Sequence, residues 1–406
     1  MTPKQIIYSI NYATALFGAS VADSESERFR DSLEELLGGG IRPIPLGRAR
    51  MGIYLLLRQA IKGGRNKVIL SPYTVPDVIN MVVLAGGESV FVDFVAKSTN
   101  IDLNHMESLI SEDVACVLIT HYHVNQNDLA GIKSLCERKG VSLFEDCAIS
   151  LSGKINNKHV GTESDGAILS LSGFKFLNYF WGGCVFSRHK SITQSLERET
   201  KDWGRLGRRD YLPQVLRTLK YDLATRKPIF DWVVFPLIRM RQRRSTEAVN
   251  LSPLRLESPT IDKTLQSLPS GSALSEWNVK FPVLDRFLEY RKRIAAIYDS
   301  YLIECAVSPE TSKEIKDGSC FVNYPIYVGQ KLRNSIYKEL IFAGYDVGAS
   351  LYPNCHEHEK FRDAKGKSAN VKDLVRSVIT LPTHPRVSES YAHEIGSTVL
   401  EMLRKA

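Results

Sequence analysis

Apolar residues along this chain recur in two rhythms. Between about residue 24 and residue 200, short apolar runs alternate with segments whose apolar positions return every three or four residues. The first rhythm suits strands buried on both faces, the second amphipathic helices. Residues 24–38 predict a helix, with Asp23 as its cap and Gly38-Gly39-Gly40 as its stop. A second helix is predicted over 51–61, with Ile53, Leu56, Leu57 and Ile61 on one face. Strands are predicted over 67–70, 89–93, 115–120, 141–144, 167–170 and 184–186, and helices between them over 75–84, 104–110 and 128–138. Strands alternating with helices predict an α/β fold: a mainly parallel sheet with helices on both faces.

After residue 200 the alternation stops. Residues 201–275 read as basic, aromatic and irregular. A long helix follows over 277–302, with Phe281, Leu284, Leu288, Ile294 and Tyr298 at helical spacing. A strand at 321–328, a helix at 332–343 ended by Gly344, a strand at 378–381 and a closing helix at 388–403 return to mixed α/β. These shifts divide the chain into a large domain over 1–200, a basic segment over 201–276 and a smaller α/β domain over 277–406. No repeat and no low-complexity tract interrupts them.

Composition adds bounds. A chain of 406 residues has ample length for a core. Hydrophobic residues make up 43% and charged residues 24%, ordinary for a soluble globular protein. The apolar stretches fall short of the ~20 residues a membrane span needs. The start, Met1-Thr2-Pro3-Lys4-Gln5-Ile6-Ile7, has no long apolar core before a small-residue cleavage site, so no signal peptide is expected. Seven scattered cysteines without a CxxC pair suit a reducing cytoplasm.

The net charge of +8 is local. Residues 201–244 hold 12 Lys and Arg against 4 Asp and Glu, so this segment carries the whole imbalance. Within it, the apolar run from Ile229 to Ile238 meets Arg239-Met240-Arg241-Gln242-Arg243-Arg244. Two readings fit equally: an element peripheral to an anionic inner-membrane surface, and a dimer interface, where Trp, Phe and Arg are enriched. Nucleic acid fits less well, because the aromatics are not interleaved with the charges.

The candidate chemistry lies at two strand ends. Asp146 closes the apolar run 141–146, and Lys175 follows the run 166–172, 29 residues later. In parallel α/β sheets ligands bind outside the carboxyl ends of strands. A lysine in a chain with 53 Lys and Arg is ordinarily a solvated charge. A lysine and an aspartate delivered to one crevice are, however, the pair that pyridoxal phosphate chemistry needs. The lysine joins the cofactor, and the aspartate keeps its pyridine nitrogen protonated. His121-x-His123 and Cys355-His356-Glu357-His358 contain metal-type residues, but not at the spacing of a standard zinc site, so no metal is expected. Cys147 reads as a small core residue. No GxGxxG opens a helix after a strand.

The order of these motifs resembles one family, the DegT/DnrJ/StrS group of pyridoxal phosphate-dependent sugar aminotransferases. The resemblance covers about 24–200 and 277–403. It rests on Glu145-Asp146-Cys147-Ala148-Ile149, on Val160-Gly161 with Asp165, on Ser170-Leu171-Ser172-Gly173-Phe174-Lys175 and on Gly182-Gly183. Upstream it includes Ser71-Pro72-Tyr73-Thr74, Leu84-Ala85-Gly86 and Thr120-His121, and downstream Leu381-Pro382-Thr383-His384-Pro385.

The resemblance implies the aspartate-aminotransferase fold, type I: a large domain with a seven-stranded-type sheet and a smaller C-terminal α/β domain. It implies that Lys175 carries the cofactor, that Asp146 meets its pyridine nitrogen and that Ser170 binds its phosphate. The helix start at Ala49-Arg50-Met51 falls where the family also holds phosphate; free N–H groups there suit an anion, and Arg50 is placed to add a charge. His121 is expected to line the crevice. Ile149 stands where the family has a glutamine near the ring oxygen. Val75 stands where it has a stacking aromatic, with Tyr73 as candidate substitute. Phe176 replaces an asparagine, and the family's Asn-x-Arg segment is not recognisable. The implied activity is a cytoplasmic homodimer moving an amino group from an amino acid such as glutamate to a keto sugar, nucleotide-linked, for cell-surface polysaccharide or secondary metabolites. The departures keep open a different reaction with the same cofactor, such as dehydration or transfer to a non-sugar carbonyl, and a non-catalytic family member.

Overall fold

The structure is a computed structural model describing residues 22–124, 127–172, 175–224, 226–244, 261–305, 307 and 318–405. The expectations for the first residues, for Gly173-Phe174 and for the side chains of Arg241, Arg243 and Arg244 lie outside the described residues.

The first half alternates as its pattern predicts. It runs α1 (Ala22–Leu36), β1 (Ile44–Leu46), α2 (Ala49–Ala60), β2 (Lys67–Leu70), α3 (Pro76–Leu84) and β3 (Glu88–Phe91). Then come α4 (Leu103–Leu109), β4 (Val114–Thr120), α5 (Leu129–Lys139) and β5 (Ser142–Asp146). A hairpin, β6 (Lys154–Ile155) and β7 (Lys158–His159), precedes β8 (Gly166–Ser170), β9 (Gly183–Phe186) and α6 (Lys190–Thr200).

The next segment corrects the expectation of irregular chain over 201–275. It forms α7 (Arg208–Ala224), a helical turn at Lys227–Ile229, a π turn at Phe230–Val234 and α8 (Phe235–Arg244). Pro213, Pro228 and Pro236 hid the helices. Pro236 has no N–H to offer the Trp232 carbonyl, and the chain passes this point by a π turn in which Phe235 N–H reaches Phe230 O. Pro213 sits inside α7 itself.

The single helix expected over 277–302 is also two. A 3₁₀ turn at Phe281–Val283 separates α9 (Gly271–Lys280) from α10 (Leu284–Leu302). Pro282, which cannot continue an i→i−4 ladder, is the reason. The rest is β10 (Asn323–Tyr327), α11 (Gln330–Ala343), β11 (Lys365–Gly366), α12 (Ala369–Ser377), β12 (Val378–Pro382) and α13 (Glu389–Lys405).

The large sheet has the order β1-β9-β8-β5-β4-β2-β3-β11. Strands β3, β2, β4, β5 and β8 are mutually parallel, and β9 runs antiparallel to both β8 and β1. Six of these strands are those the pattern predicts; β1, paired with β9, is not among them and makes up the seven that the resemblance implies, and the two-residue β11 is added at the β3 edge. Both faces are buried because successive side chains point to opposite sides. Val68, Leu70, Leu118 and Phe144 pack with α2 and α3, while Ile69, Val117, Ile119 and Leu143 pack with α5.

A second core gathers Ile294, Tyr298, Ile326, Leu340, Ile379 and Ile395 around β10 and β12. Helix α10 joins the two bodies: Leu284 and Leu288 pack with Trp277 and Phe29, Ile294 and Tyr298 with the second core. Among the described residues no helix is long and apolar enough to cross a membrane.

Gly161, just after β7, has φ +87°, and a Cβ there would fall 2.7 Å from Ala167 Cβ and 2.8 Å from Phe186 Cζ. Backbone strain and overpacking therefore act together. Gly161→Ala is expected to lose roughly 2–4 kcal/mol. An unchanged urea midpoint with unchanged slope would show that the turn is free to relax.

Candidate active site

The parallel strands end at one crevice. Register places Thr120 beside Asp146, and Asp146 beside Ile168, two residues before the end of β8. Asp146 is buried. Its Oδ1 accepts the Ala148 N–H at 3.0 Å, and its carbonyl accepts the His121 N–H at 3.0 Å. Burial raises its carboxyl above the ordinary range; the Ala148 donor and the charges of Lys175 and His121 act against that rise.

Its neighbour Glu145 points to the other side of the strand. Oε2 lies 2.6 Å from His121 Nε2 and accepts the Gly161 N–H at 2.9 Å. Burial pushes this carboxyl up most strongly, but His121, the Ser164 hydroxyl and the Gly161 N–H together hold it below the usual carboxylate range. The fully buried His121 thus braces both acids, one through its ring and one through its backbone.

Lys175 sits in the turn after β8, where its N–H bonds Ser172 O at 2.9 Å. Its ammonium is pulled down to about 8 by desolvation, and Asp146 resists that shift. The turn is held from behind. Lys280, nearly buried on α9, donates to Asn178 O at 2.6 Å and Asn178 Oδ1 at 2.8 Å, and pairs with Glu276 at 3.0 Å.

Ser170 ends β8 and pairs across the ladder with Gly183. A Cβ on Gly183 would lie 2.5 Å from Ala49 Cα, so the missing side chain lets the start of α2 approach the strand end. Among the described residues no side chain caps that helix start, although the Met51 N–H bonds Arg48 O at 3.2 Å. The Met51 side chain belongs to the core. Arg50 is exposed and pairs with Asp77 at 2.5 Å. Arg48 instead lies 3.2 Å over the Trp181 ring, and burial lowers its guanidinium to about 9.

Tyr73 is buried in an aromatic cluster with Phe94, Tyr122 and Tyr352. Its hydroxyl lies 3.1 Å from Ser350 Oγ and accepts the Leu351 N–H at 3.3 Å. It ties the strand-end turn to the loop after α11. Val75 is half exposed at the start of α3, and Ile149 is core.

Two residues escaped sequence reasoning. His123 is buried and, among the described residues, neither ring nitrogen meets a partner. Burial, then the charge of Lys175, lowers it to about 3, so it is neutral near pH 7. Tyr352 comes from the distant loop, and its hydroxyl senses the Asp146 charge. The His-x-His pattern marked His123 only as a metal-type residue; Tyr352 had no local signal.

His121, Glu145 and Cys147 place donor atoms within 4.8 Å of one another. The 2.6 Å His121–Glu145 distance is a hydrogen bond, whereas two ligands of one tetrahedral zinc lie ~3.3 Å apart. His356 spends its ring nitrogens on Ser368 and Ala364. A cavity of about 940 Å³ lined by Lys154, His159, Asp285 and Lys292 includes none of these strand-end residues.

Comparison with known proteins adds four findings. The model of the DegT/DnrJ/EryC1/StrS aminotransferase family matches residues 21–210 and 277–400. GDP-perosamine synthase of Vibrio cholerae is 28% identical over 127 residues, 31% of this chain and 35% of that protein, so the match spans about a third of its length. The pleiotropic regulatory protein of Geobacillus stearothermophilus is 26% identical over 367 residues, 89% of this chain and 85% of its own. In structure, Helicobacter pylori PseC, an aminotransferase of pseudoaminic acid biosynthesis, superposes with a TM-score of 0.74 at 16% identity, covering 100% of both chains.

Proposed function

The chain belongs to the DegT/DnrJ/EryC1/StrS aminotransferase family, whose members depend on pyridoxal phosphate, and from that premise we propose that it transfers an amino group from an amino acid, glutamate first, to a nucleotide-linked keto sugar. The observation that carries this reading is the placement of Lys175, in the turn after β8, at the same end of the sheet as Asp146 at the end of β5, near enough for each charge to bear on the other. The named relatives favour the sugar: one is a GDP-perosamine synthase, and one acts in pseudoaminic acid biosynthesis. The reading includes a cytoplasmic homodimer with the site near the subunit interface, serving cell-surface polysaccharide or secondary-metabolite assembly.

The residues fit pyridoxal phosphate. Asp146 would hold the pyridine nitrogen, Lys175 the aldehyde carbon, and Ser170 with the open start of α2 the phosphate. When bound, the cofactor supplies an electron sink for charge released at the donor's α-carbon. The chain supplies the rest. With an ammonium near 8, about a tenth of Lys175 is unprotonated at pH 7, against ~1 in 3,000 for an ordinary lysine. Lys175 can therefore take and return a proton as base and acid. Asp146, buried, presents a fixed charge that water does not screen. Neutral His123 adds no positive charge beside the amine. Tyr73 and Tyr352 pack ring against ring and join the strand-end turn to the loop after α11.

Purified protein reduced with borohydride is expected to carry the cofactor on the peptide containing Lys175. A colourless protein that also fails to take up added pyridoxal phosphate would end the enzyme reading.

Asp146→Asn is expected to keep the cofactor and lose at least ~1.4 kcal/mol of transition-state stabilisation, tenfold in kcat. Retention of more than about a tenth of the wild-type rate, under that ~1.4 kcal/mol, contradicts the assignment. Stoichiometric consumption of the amino donor separates transamination from dehydration.

A further inference from the structure

We propose that α7 and α8 form a docking surface for an anionic lipid bilayer. The two helices lie in the stretch 211–276 that the family model leaves unmatched, apart from the first turn of α7. Helix α7 has more apolar surface than the fold uses. Tyr211, Val215 and Thr218 are buried, with Tyr211 against the rings of Tyr179 and Trp181. One residue further round, Leu212, Leu216, Leu219 and Leu223 are all exposed. At about 100° per residue they fall within a stripe roughly 60° wide. Arg208 borders it on one side, Arg209 and Lys220 on the other, and all three are exposed.

The second half repeats the theme. Trp232 is 83% exposed, followed by exposed Val233, Leu237 and Met240. Arg239, also exposed, lies over the Phe235 ring. Apolar stripes edged by cations are the form of helices that lie in a membrane interface, and tryptophan favours the headgroup level.

Charge decides the occupant. A second copy of the chain meeting this face across a two-fold axis would set the same patch against itself. Two copies of one cation-edged patch would bring like charges into the same contact, and like charges oppose it. A surface that is negative at its rim, apolar beneath and adaptable in shape complements both features, and an anionic bilayer is such a surface.

The test uses the full chain with its cofactor and vesicles of phosphatidylglycerol with phosphatidylcholine, or of phosphatidylcholine alone. The wild type should co-sediment with the anionic vesicles at low salt and be released as salt rises. Arg209→Gln and Lys220→Gln should each weaken partition about fivefold. The pair Leu216→Glu and Leu219→Glu should abolish it while leaving the lipid-free sedimentation mass and the thermal midpoint unchanged. Tryptophan emission should shift to shorter wavelength on vesicle addition, and the shift should vanish in Trp232→Phe. This last readout stands even if the leucine variant does not fold. Failure to bind anionic vesicles at low salt overturns the proposal. So does a fall in lipid-free sedimentation mass for the leucine variant, which would show a second copy covering the stripe.

Discussion

A carboxylate buried at the end of a parallel strand is the constraint on which this site depends. Asp146 has little water around it, so its charge must be supported by what the fold brings near. Three groups do this: the Ala148 N–H, the Lys175 ammonium and His121. His121 is itself held by Glu145, the residue before Asp146, which in turn needs the Gly161 N–H. A chain of buried hydrogen bonds therefore runs from the hairpin turn after β7 to the strand end. Removing one partner of such a buried pair ordinarily costs about 3–5 kcal/mol, because the other is left uncompensated.

The same desolvation shapes Lys175 in the opposite sense. Burial penalises its charge, Asp146 favours it, and burial wins by enough to lower the ammonium to about 8. The rest of the architecture fixes the pair in place. Parallel β4, β5 and β8 deliver the two residues to one end of the sheet. Lys280 and Glu276 anchor the loop after Lys175, and Tyr73 links the strand-end turn to the loop bearing Tyr352. Gly183 allows the start of α2 to approach Ser170.

Much of this was legible in the residues. Strand ends at Asp146 and Ser170 follow from apolar runs bounded by polar residues, because a strand covered on both faces reads as a continuous hydrophobic segment. The helices of α7 and α8 were not legible. Proline punctuates the segment, and proline is read as a breaker unless a π turn or a first-turn position absorbs it. Pro282 was overlooked for the converse reason: apolar spacing on both sides of it matched one helix. The pairing of Arg50 with Asp77 was not legible either, because that partner is set by how α3 packs on α2. Tyr352 and His123 reach the site through tertiary contacts that local sequence does not encode.

The coupling of Lys175 to Asp146 is tested most directly by the protonation of the amine itself. In cofactor-free protein, the rate at which a neutral acylating reagent modifies Lys175 can be followed by peptide mass spectrometry against pH. The account predicts a midpoint near 8 in the wild type. It predicts a lower midpoint in Asp146→Asn, because the carboxylate's favourable charge is gone. A midpoint near that of an ordinary lysine, or one that rises in the variant, would contradict it.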